Sequence, residues 1–580
     1  METKQKTTLI QGSVAKGMLL FALPIFISNL FQQLYNAADS LIVGNFLGGE
    51  ALAAVGSSGS LIFLLTGFVN GVSLGAGVVV ARYFGAKDWD RMRRTIHTTV
   101  ALGIAAGVAL TVVGVILTPQ ILRWMGTPDS VLANSIAYFR MYFFGSIAVV
   151  MYNVGASILQ SVGDSKSPMR YLIAASIINV ILDLILVGWL RMGVGAAAFA
   201  TIASQTVSAI LAFAKLTRSK EEWAVHWNEV RFDAPSLKAV VVQGLPSGIQ
   251  NSVISIANVI VQSNINSFGA QAMAGCGAYS KVEGFAFLPV TCFSMALATF
   301  VSQNVGAGQP DRVRRGMKFG TLCSVLMAEI VGVGIYTLSP WLIGAFSREP
   351  DVIAFGVQQA HTAALFYCLL AFSHCCAGIL RGLGRPVVPM MVMLMIWCAL
   401  RITYITITLH FIRAISVVFW AYPLTWSISS VLFAWYILHC PIPQPGGRCP
   451  PQSRHKKSTP YPHEPHGYGV LLFLITKHGS GAVSAQFANS QTSTVYFVSG
   501  RLRKNASAAC FSASPMTLPL YSTAASTPPG RRASSAARRA DRLPCAVECT
   551  VCSAPGSQPK LNSTQSTLPG CTSSPSFAWS

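Results

Sequence analysis

Charge is what this chain has least of. Asp, Glu, Lys and Arg make up 11% of its 580 residues, against about 25% in soluble globular domains, and 52% of the residues are apolar. That balance excludes a water-soluble globular protein and implies an integral membrane protein. Acids are the rarer sign, 20 against 42 Lys and Arg. In a membrane protein the resulting net charge of +22 marks cytoplasmic loops rather than a nucleic-acid surface, so the partner expected is the lipid bilayer and not nucleic acid. The 14 cysteines lack a disulfide-framework rhythm. Cys276, Cys292, Cys323 and Cys368 lie in apolar segments, where a thiol acts as a small hydrophobe. A signal-peptide cleavage site is missing after the first apolar run, which is too long for such a peptide and is expected to stay as a span.

The parts of a pump or an enzyme are missing too. Gly163-Asp-Ser-Lys-Ser167 lacks the glycine and lysine spacing that wraps phosphates. No Ser/His/Asp or metal-ligand set converges. Cys549 and Cys552 resemble half of a zinc site without the second pair that would complete it. No enzyme, resident cofactor or metal is expected, and transport powered by an ion gradient is what remains.

What is present is a series of apolar runs of about 20 residues, each long enough to cross a bilayer. Six fall near 17–42, 52–80, 95–117, 133–160, 168–190 and 195–216. Six more fall near 239–266, 276–302, 317–338, 356–380, 387–411 and 415–438. Basic residues cluster in alternate loops: Arg82 to Arg94, Lys166 with Arg170, Lys215 to Lys238, Arg312 to Lys318, and Arg381 with Arg385. The positive-inside rule then puts both termini in the cytoplasm.

The two sets of six repeat each other. Gly85-Ala-Lys-Asp-Trp-Asp-Arg-Met-Arg-Arg94 matches Gly306-Ala-Gly-Gln-Pro-Asp-Arg-Val-Arg-Arg315, 221 residues on. The same offset aligns Ile158-Leu-Gln-Ser-Val-Gly163 with Ile379-Leu-Arg-Gly-Leu-Gly384. An even number of spans per repeat gives both halves one orientation, related by an axis along the membrane normal, which is a transporter architecture. The fold class expected is all-α, twelve transmembrane helices in two six-helix lobes. The layout is a cytoplasmic segment 1–16, a first lobe 17–216, a linker 217–238, a second lobe 239–440 and a tail 441–580. The linker reads equally as an amphipathic surface helix or a polar tether. The tail, rich in Ser, Pro, Gly and Arg, is expected to be disordered and has the look of a frameshifted reading.

Polar residues within the spans are few. In span one Ser28, Gln32, Asn36 and Asp39 share a helical face, and Pro24 removes a backbone hydrogen bond and can hinge the helix. A carboxylate in a membrane helix is unfavourable by roughly 2.5–3.5 kcal/mol on insertion scales and normally faces a bundle interior or a watery cavity. Asp39 is joined by Asp183 in span five, with Asn179 one turn earlier. Two carboxylates in one low-dielectric chamber oppose each other's ionisation, which links ion uptake to shape. The alternative for both is interhelical glue, about 0.6 kcal/mol on average; two acids in one half weigh toward function. Gln32, Asn36, Asn153 and Thr201 fit packing as well as a cavity. In the second half Asn251, Asn258 and Gln262 share a face of span seven without an ionisable group. Arg401, mid-span, lines a second cavity or satisfies carbonyls. Glu283 with Lys281 reads as a local ion pair, and His374 as packed.

Taken together, Asp39 after Pro24, Ala81-Arg-Tyr-Phe-Gly-Ala-Lys87, Gln160-Ser-Val-Gly-Asp-Ser-Lys-Ser-Pro168, Asn179 with Asp183, and Val301-Ser-Gln-Asn-Val-Gly-Ala307 resemble the MATE (multidrug and toxic compound extrusion) transporters, over roughly residues 10–440. The resemblance implies two six-helix lobes in a V. It implies export of small organic, often cationic, xenobiotics in exchange for H+ or Na+ by a monomer in the bacterial inner membrane. In the prokaryotic branch, which this chain looks closest to, acids matching Asp39 and Asp183 take the ion. A proline matching Pro24 bends the first helix, and Gln32, Asn179 and Thr201 match cavity residues. Another branch has a glutamate in span seven, where this chain has Ile254 and Ser255. The alternatives are a lipid or lipid-linked oligosaccharide flippase of related architecture, which calls for cationic cavities, and a non-transporting receptor or scaffold.

Overall fold

The computed structural model describes residues 9–124 and 129–440; the tail with its Cys549 and Cys552 lies outside these. Among the described residues there are helices and no strands, as expected where each apolar segment must satisfy its own backbone in lipid. The first lobe holds α1 (Val14–Leu47), α2 (Gly49–Ala86), α3 (Trp89–Trp124), α4 (Asp129–Phe144), α5 (Ser146–Ser161), α6 (Lys166–Asp183) and α7 (Gly193–Arg218). The second holds α8 (Ala234–Asn266), α9 (Ala270–Gly306), α10 (Pro310–Gly344), α11 (Pro350–Ala363), α12 (Tyr367–Gly382), α13 (Val387–Met393), α14 (Arg401–Phe411) and α15 (Ile415–His439). Of the described helices, 10 are long and apolar enough to cross a membrane, and 11 when α4 and α5, bent by 45°, count as one span. The 33-residue α8, the expected seventh span, is about 50 Å long but carries Gln243, Gln250, Asn251, Asn258 and Gln262 along its length.

The sequence repeat is a structural one. Gly48 and Gly269, 221 residues apart, both take left-handed φ, 87° and 106°, to end the first helix of each lobe; a side chain would strain either turn. The fourth span of each lobe breaks at the same register, at Gly145 between α4 and α5 and at the 3-10 turn Ala364–Phe366 between α11 and α12. The fifth span of each lobe contains a π-helical stretch, Leu184–Trp189 directly after α6 and Leu394–Leu400 directly before α14. Such stretches are uncommon and often mark functional positions.

The lobes meet at the ends that carry the basic loops, and the contact is reciprocal. A Cβ on Gly85 would overlap the carbonyl of Gln303, and one on Gly306 the carbonyl of Arg82. Arg82 Nη2 donates to Gly382 O at 2.9 Å and Gln303 Nε2 to Ser161 O at 2.6 Å; each residue is the repeat mate of its counterpart. Higher up, Gly71 and Gly75 of α2 lie directly against Gly248 and Gly244 of α8. Small residues let backbones approach this closely, which is how membrane helices gain packing without a hydrophobic drive.

One helix belongs to both lobes. Met18, Phe21 and Ile25 of α1 pack into the second-lobe core with Phe293, Leu297 and Phe300, whereas Ile42 and Val43 pack with Tyr138 and Val187 of the first lobe. Pro24, buried within α1, falls where the helix changes partners. Its missing N–H leaves the Leu20 carbonyl without a helical donor.

Two caps give direct tests. Asp233 ends the linker and caps α8, accepting from Ser236 N at 3.0 Å and Ser236 Oγ at 2.7 Å. The Ser236 hydrogen bonds hold its carboxyl below the usual range, so its contribution is present at neutral pH and is lost as pH falls through that lowered value. Asp233→Ala should lower stability by about 0.5–2 kcal/mol at pH 7 in thermal unfolding, with the difference shrinking under acid. Glu329, midway along α10, accepts from Cys368 N at 3.2 Å, placing an acidic side chain at the start of α12, where the helix break leaves N–H groups free. Glu329→Gln should lower stability by about 0.3–2 kcal/mol in thermal unfolding, leaving the ion dependence of transport intact.

The linker is a docked tether rather than a helix. Apart from the 3-10 turn Trp227–Glu229 it is irregular. Trp223 is buried with Met92 and Phe213, and His226 N donates to His97 Nε2 at 2.9 Å.

Candidate functional site

A cluster of polar side chains in the first lobe draws on four helices. α1 supplies Gln32, Tyr35 and Asp39, α4 supplies Tyr138, α6 supplies Asn179 and Asp183, and α7 supplies Thr201 and Gln205. Asp39 is 7% exposed and Asp183 fully buried. Asp183 feels the charge of Asp39, and Tyr138 lies close enough to be influenced by both. Neither acid takes part in an ion pair among the described residues. Asp39 Oδ1 and both Asp183 carboxylate oxygens are buried without a hydrogen-bond donor, as are Asn179 Oδ1 and Gln205 Oε1. The amide donors, by contrast, are used: Asn179 Nδ2 reaches Thr201 Oγ1 at 3.5 Å and Gln205 Nε2 reaches Tyr35 OH at 3.3 Å. The cluster therefore concentrates unpaired acceptors, an arrangement that favours a bound cation or proton.

The remaining sequence candidates divide. Gln32 approaches Tyr35. Asn36, one turn before Ser40 on α1, is exposed. Asn153 Nδ2 donates back to Val149 O of its own helix at 2.8 Å. Asn251 of α8 reaches across the lobe boundary to Gly67 O at 2.9 Å, tying the lobes together. Asn258 is exposed, and Gln262 Nε2 bonds Asn266 Oδ1 at 2.9 Å on the same helix. Arg401 is buried over the Tyr422 ring, 4.4 Å from its centroid, and donates to the Thr425 hydroxyl rather than to carbonyls. His374 is packed edge-on against Phe287 and Trp397.

Glu283 departs from its sequence reading. It is not paired with Lys281, which is exposed; its Oε1 instead faces Tyr279 OH at 3.5 Å inside the second lobe. Helical phase explains the difference, because positions 281 and 283 are about 200° apart around α9. Sequence reasoning also missed Tyr35, Tyr138 and Gln205. Tyr35 follows Ser28 and Gln32 on the face of Asp39, and Gln205 lies one turn after Thr201, so spacing held the signal for both; nothing local marks Tyr138.

Comparison with known proteins agrees with this architecture. The family model MatE matches twice, over residues 24–185 and 246–407, once in each lobe. The probable multidrug resistance protein YoeA of Bacillus subtilis is 26% identical over 448 residues, covering 75% of this chain and 97% of YoeA. The probable multidrug resistance protein NorM of Thermotoga maritima is 28% identical over 392 residues, covering 67% of this chain and 84% of NorM. The solved outward-facing conformation of a multidrug resistance MATE family transporter superposes with a TM-score of 0.71 at 21% identity, covering 76% of this chain and 98% of that one. With two matching repeats, an all-helical two-lobe body and multidrug resistance relatives, this chain belongs to the MATE family of multi-pass membrane transporters of small molecules and is not an enzyme.

Proposed function

We propose that the protein is a secondary antiporter that exports organic cations and other xenobiotics across the bacterial inner membrane in exchange for H+ or Na+. The observation that carries this reading is the pair Asp39 and Asp183, buried on neighbouring helices without an ion pair or a full set of donors among the described residues. Leaving such charges bare in a low-dielectric interior is unfavourable by several kcal/mol. An arriving ion relieves that.

The basic ends of the lobes, with Arg82, Arg91 and Arg312, are cytoplasmic by the positive-inside rule, which puts both ends of the helical body there. The close contacts between the lobes at those ends support a state closed to the cytoplasm. An ion from outside neutralises Asp39 and Asp183, and α1 shifts about Pro24. Because α1 packs on both lobes, its movement alters the lobe boundary and releases the cargo outward. Return to the inward state delivers the ion inside. A membrane potential contributes about 2.3 kcal/mol per charge per 100 mV, enough for modest uphill export. Asp39 and Asp183 belong to one chain, and the unit proposed is a monomer.

Efflux of ethidium from proteoliposomes, with proton and sodium gradients imposed separately, tests the reading. One gradient alone should drive efflux. Equal efflux without either gradient would overturn it.

A further inference from the structure

The turn formed by residues 9–12, just ahead of α1, touches both lobes at the end of the body that carries the basic loops. Its main chain is held by the second lobe. Arg312 of α10 donates from Nε to Leu9 O at 3.1 Å, from Nη1 to Gly12 O at 2.7 Å and from Nη2 to Gln11 O at 3.2 Å. Buried Asn304 of α9 donates from Nδ2 to Leu9 O at 3.1 Å. The Leu9 side chain, 2% exposed, sits in the second-lobe core. Ile10, the next residue, packs instead against the first-lobe cluster that contains Val80, Phe84 and Met92. Gly12, at φ 76°, then turns the chain into Ser13, the cap of α1.

The repeat explains why Arg312 is free for this task. Its mate Arg91, 221 residues earlier, pairs with Asp88 at 3.5 Å and its side chain is 65% exposed. At the mate of Asp88 the second lobe has Gln309, so Arg312 lacks that local acid and takes part in no ion pair among the described residues. Its planar fork of donors is turned on three backbone carbonyls, and hydrogen bonds from a charged donor are the stronger kind. Asn304 adjoins Gln303, whose amide bonds Ser161 O across the lobe boundary at 2.6 Å. The turn therefore sits beside the seal, tied to one lobe by charge-assisted bonds and seated on the other by an apolar side chain.

We propose that residues 9–12 form a strap across the cytoplasmic closure, which rides on the second lobe and must withdraw Ile10 from the first before the inward state can open. The weaker attachment is the one that yields. Withdrawal exposes apolar surface to water, and this sets a cost on opening that scales with the area released. Because the strap runs straight into α1, whose cytoplasmic end packs on the second lobe, the strap and that part of α1 move together while the rest of the helix follows the ion site beyond Pro24. The strap rests on the alternation of states proposed above, and it sets how often the inward state is visited.

The test is the interlobe distance in the full chain in lipid nanodiscs, from spin labels at the exposed positions Asp90 and Arg314 in a background cleared of other cysteines. Ile10→Ser and Arg312→Gln should raise the population with a widened cytoplasmic distance by roughly three- to tenfold. Arg312→Lys should raise it as well, since one ammonium cannot serve three carbonyls in place of the fork. Arg91→Gln, at the repeat mate, should leave it unchanged. A lowered melting temperature in Ile10→Ser with the wild-type distance distribution would reduce the strap to a stabilising contact and overturn the proposal, as would an equal shift in Arg91→Gln. Should Arg312→Gln not fold, Ile10→Ala decides by the same distances. Gradient-driven ethidium efflux from Asp39→Asn reads the parent scheme separately: flux surviving there overturns ion coupling, whereas loss of flux there with an unmoved distribution in Ile10→Ser overturns the strap alone.

Discussion

Asp39→Asn and Asp183→Asn should each reduce ion-driven efflux to the level of empty vesicles while leaving the protein folded and inserted. The two halves of that expectation have separate grounds. Transport fails because the amide has no charge to exchange, so an ion gradient no longer distinguishes the states of α1. Stability survives because both Asp183 oxygens lack hydrogen-bond donors, so the isosteric amide forfeits no bond and removes a buried charge. The melting temperature should stay put or rise, with stability within about 1 kcal/mol of wild type. Size-exclusion profiles and thermal unfolding of the purified variants check the fold, and flux under an imposed gradient checks coupling. Wild-type efflux from both variants would show that the acids serve only as packing.

Gly75→Val should be as severe by a different route. A Cβ at Gly75 would overlap the backbone nitrogen and Cα of Gly244, and a Cβ at Gly244 would run into Val72 of the opposing helix. These are backbone atoms of two rigid helices, so no side-chain rotation relieves the clash, and overpacking of this kind commonly costs 1–3 kcal/mol or more, a rough range. The lobes can avoid it by standing apart, which leaves the cytoplasmic end unsealed. Efflux should be lost in Gly75→Val and in Gly244→Val alike, and cysteines placed near Gly85 and Gly306 should become reactive from the cytoplasmic side. Gly277→Ala is the control, since nothing lies within 4 Å of a Cβ there. It should be neutral or stabilising by about 0.5–1 kcal/mol. Normal sealing and flux in Gly75→Val would overturn this account of closure.

Much of this was legible in the chain. Span positions follow from apolar runs, and the offset between Gly85 and Gly306 already contains the two-fold relation that the seal realises. Asp39 and Asp183 stand out because acids are scarce in apolar helices. What stayed hidden is long-range or rotational. Glu283 looks like the partner of Lys281 until the turn of α9 is known, and its carboxyl then faces Tyr279, one turn earlier. Asn251 reads as a cavity residue from its helical face but spends its amide on Gly67 across the lobe boundary. The linker's two tryptophans suggest a surface helix, yet Trp223 fits a recess beneath α3 and the backbone follows it. The π-helical stretches have no sequence signature, although one starts directly after Asp183 and the other ends directly before Arg401.

The paired bonds of the seal, from Arg82 to Gly382 and from Gln303 to Ser161, join residues that are repeat mates, 221 positions apart. A rigid tilt of the lobes stretches both at once, so neither can open while its twin holds. Intermediate gaps, through which ions would run downhill without cargo, are thereby kept rare. A single-site change such as Arg82→Ala should show up first as gradient dissipation in cargo-free vesicles.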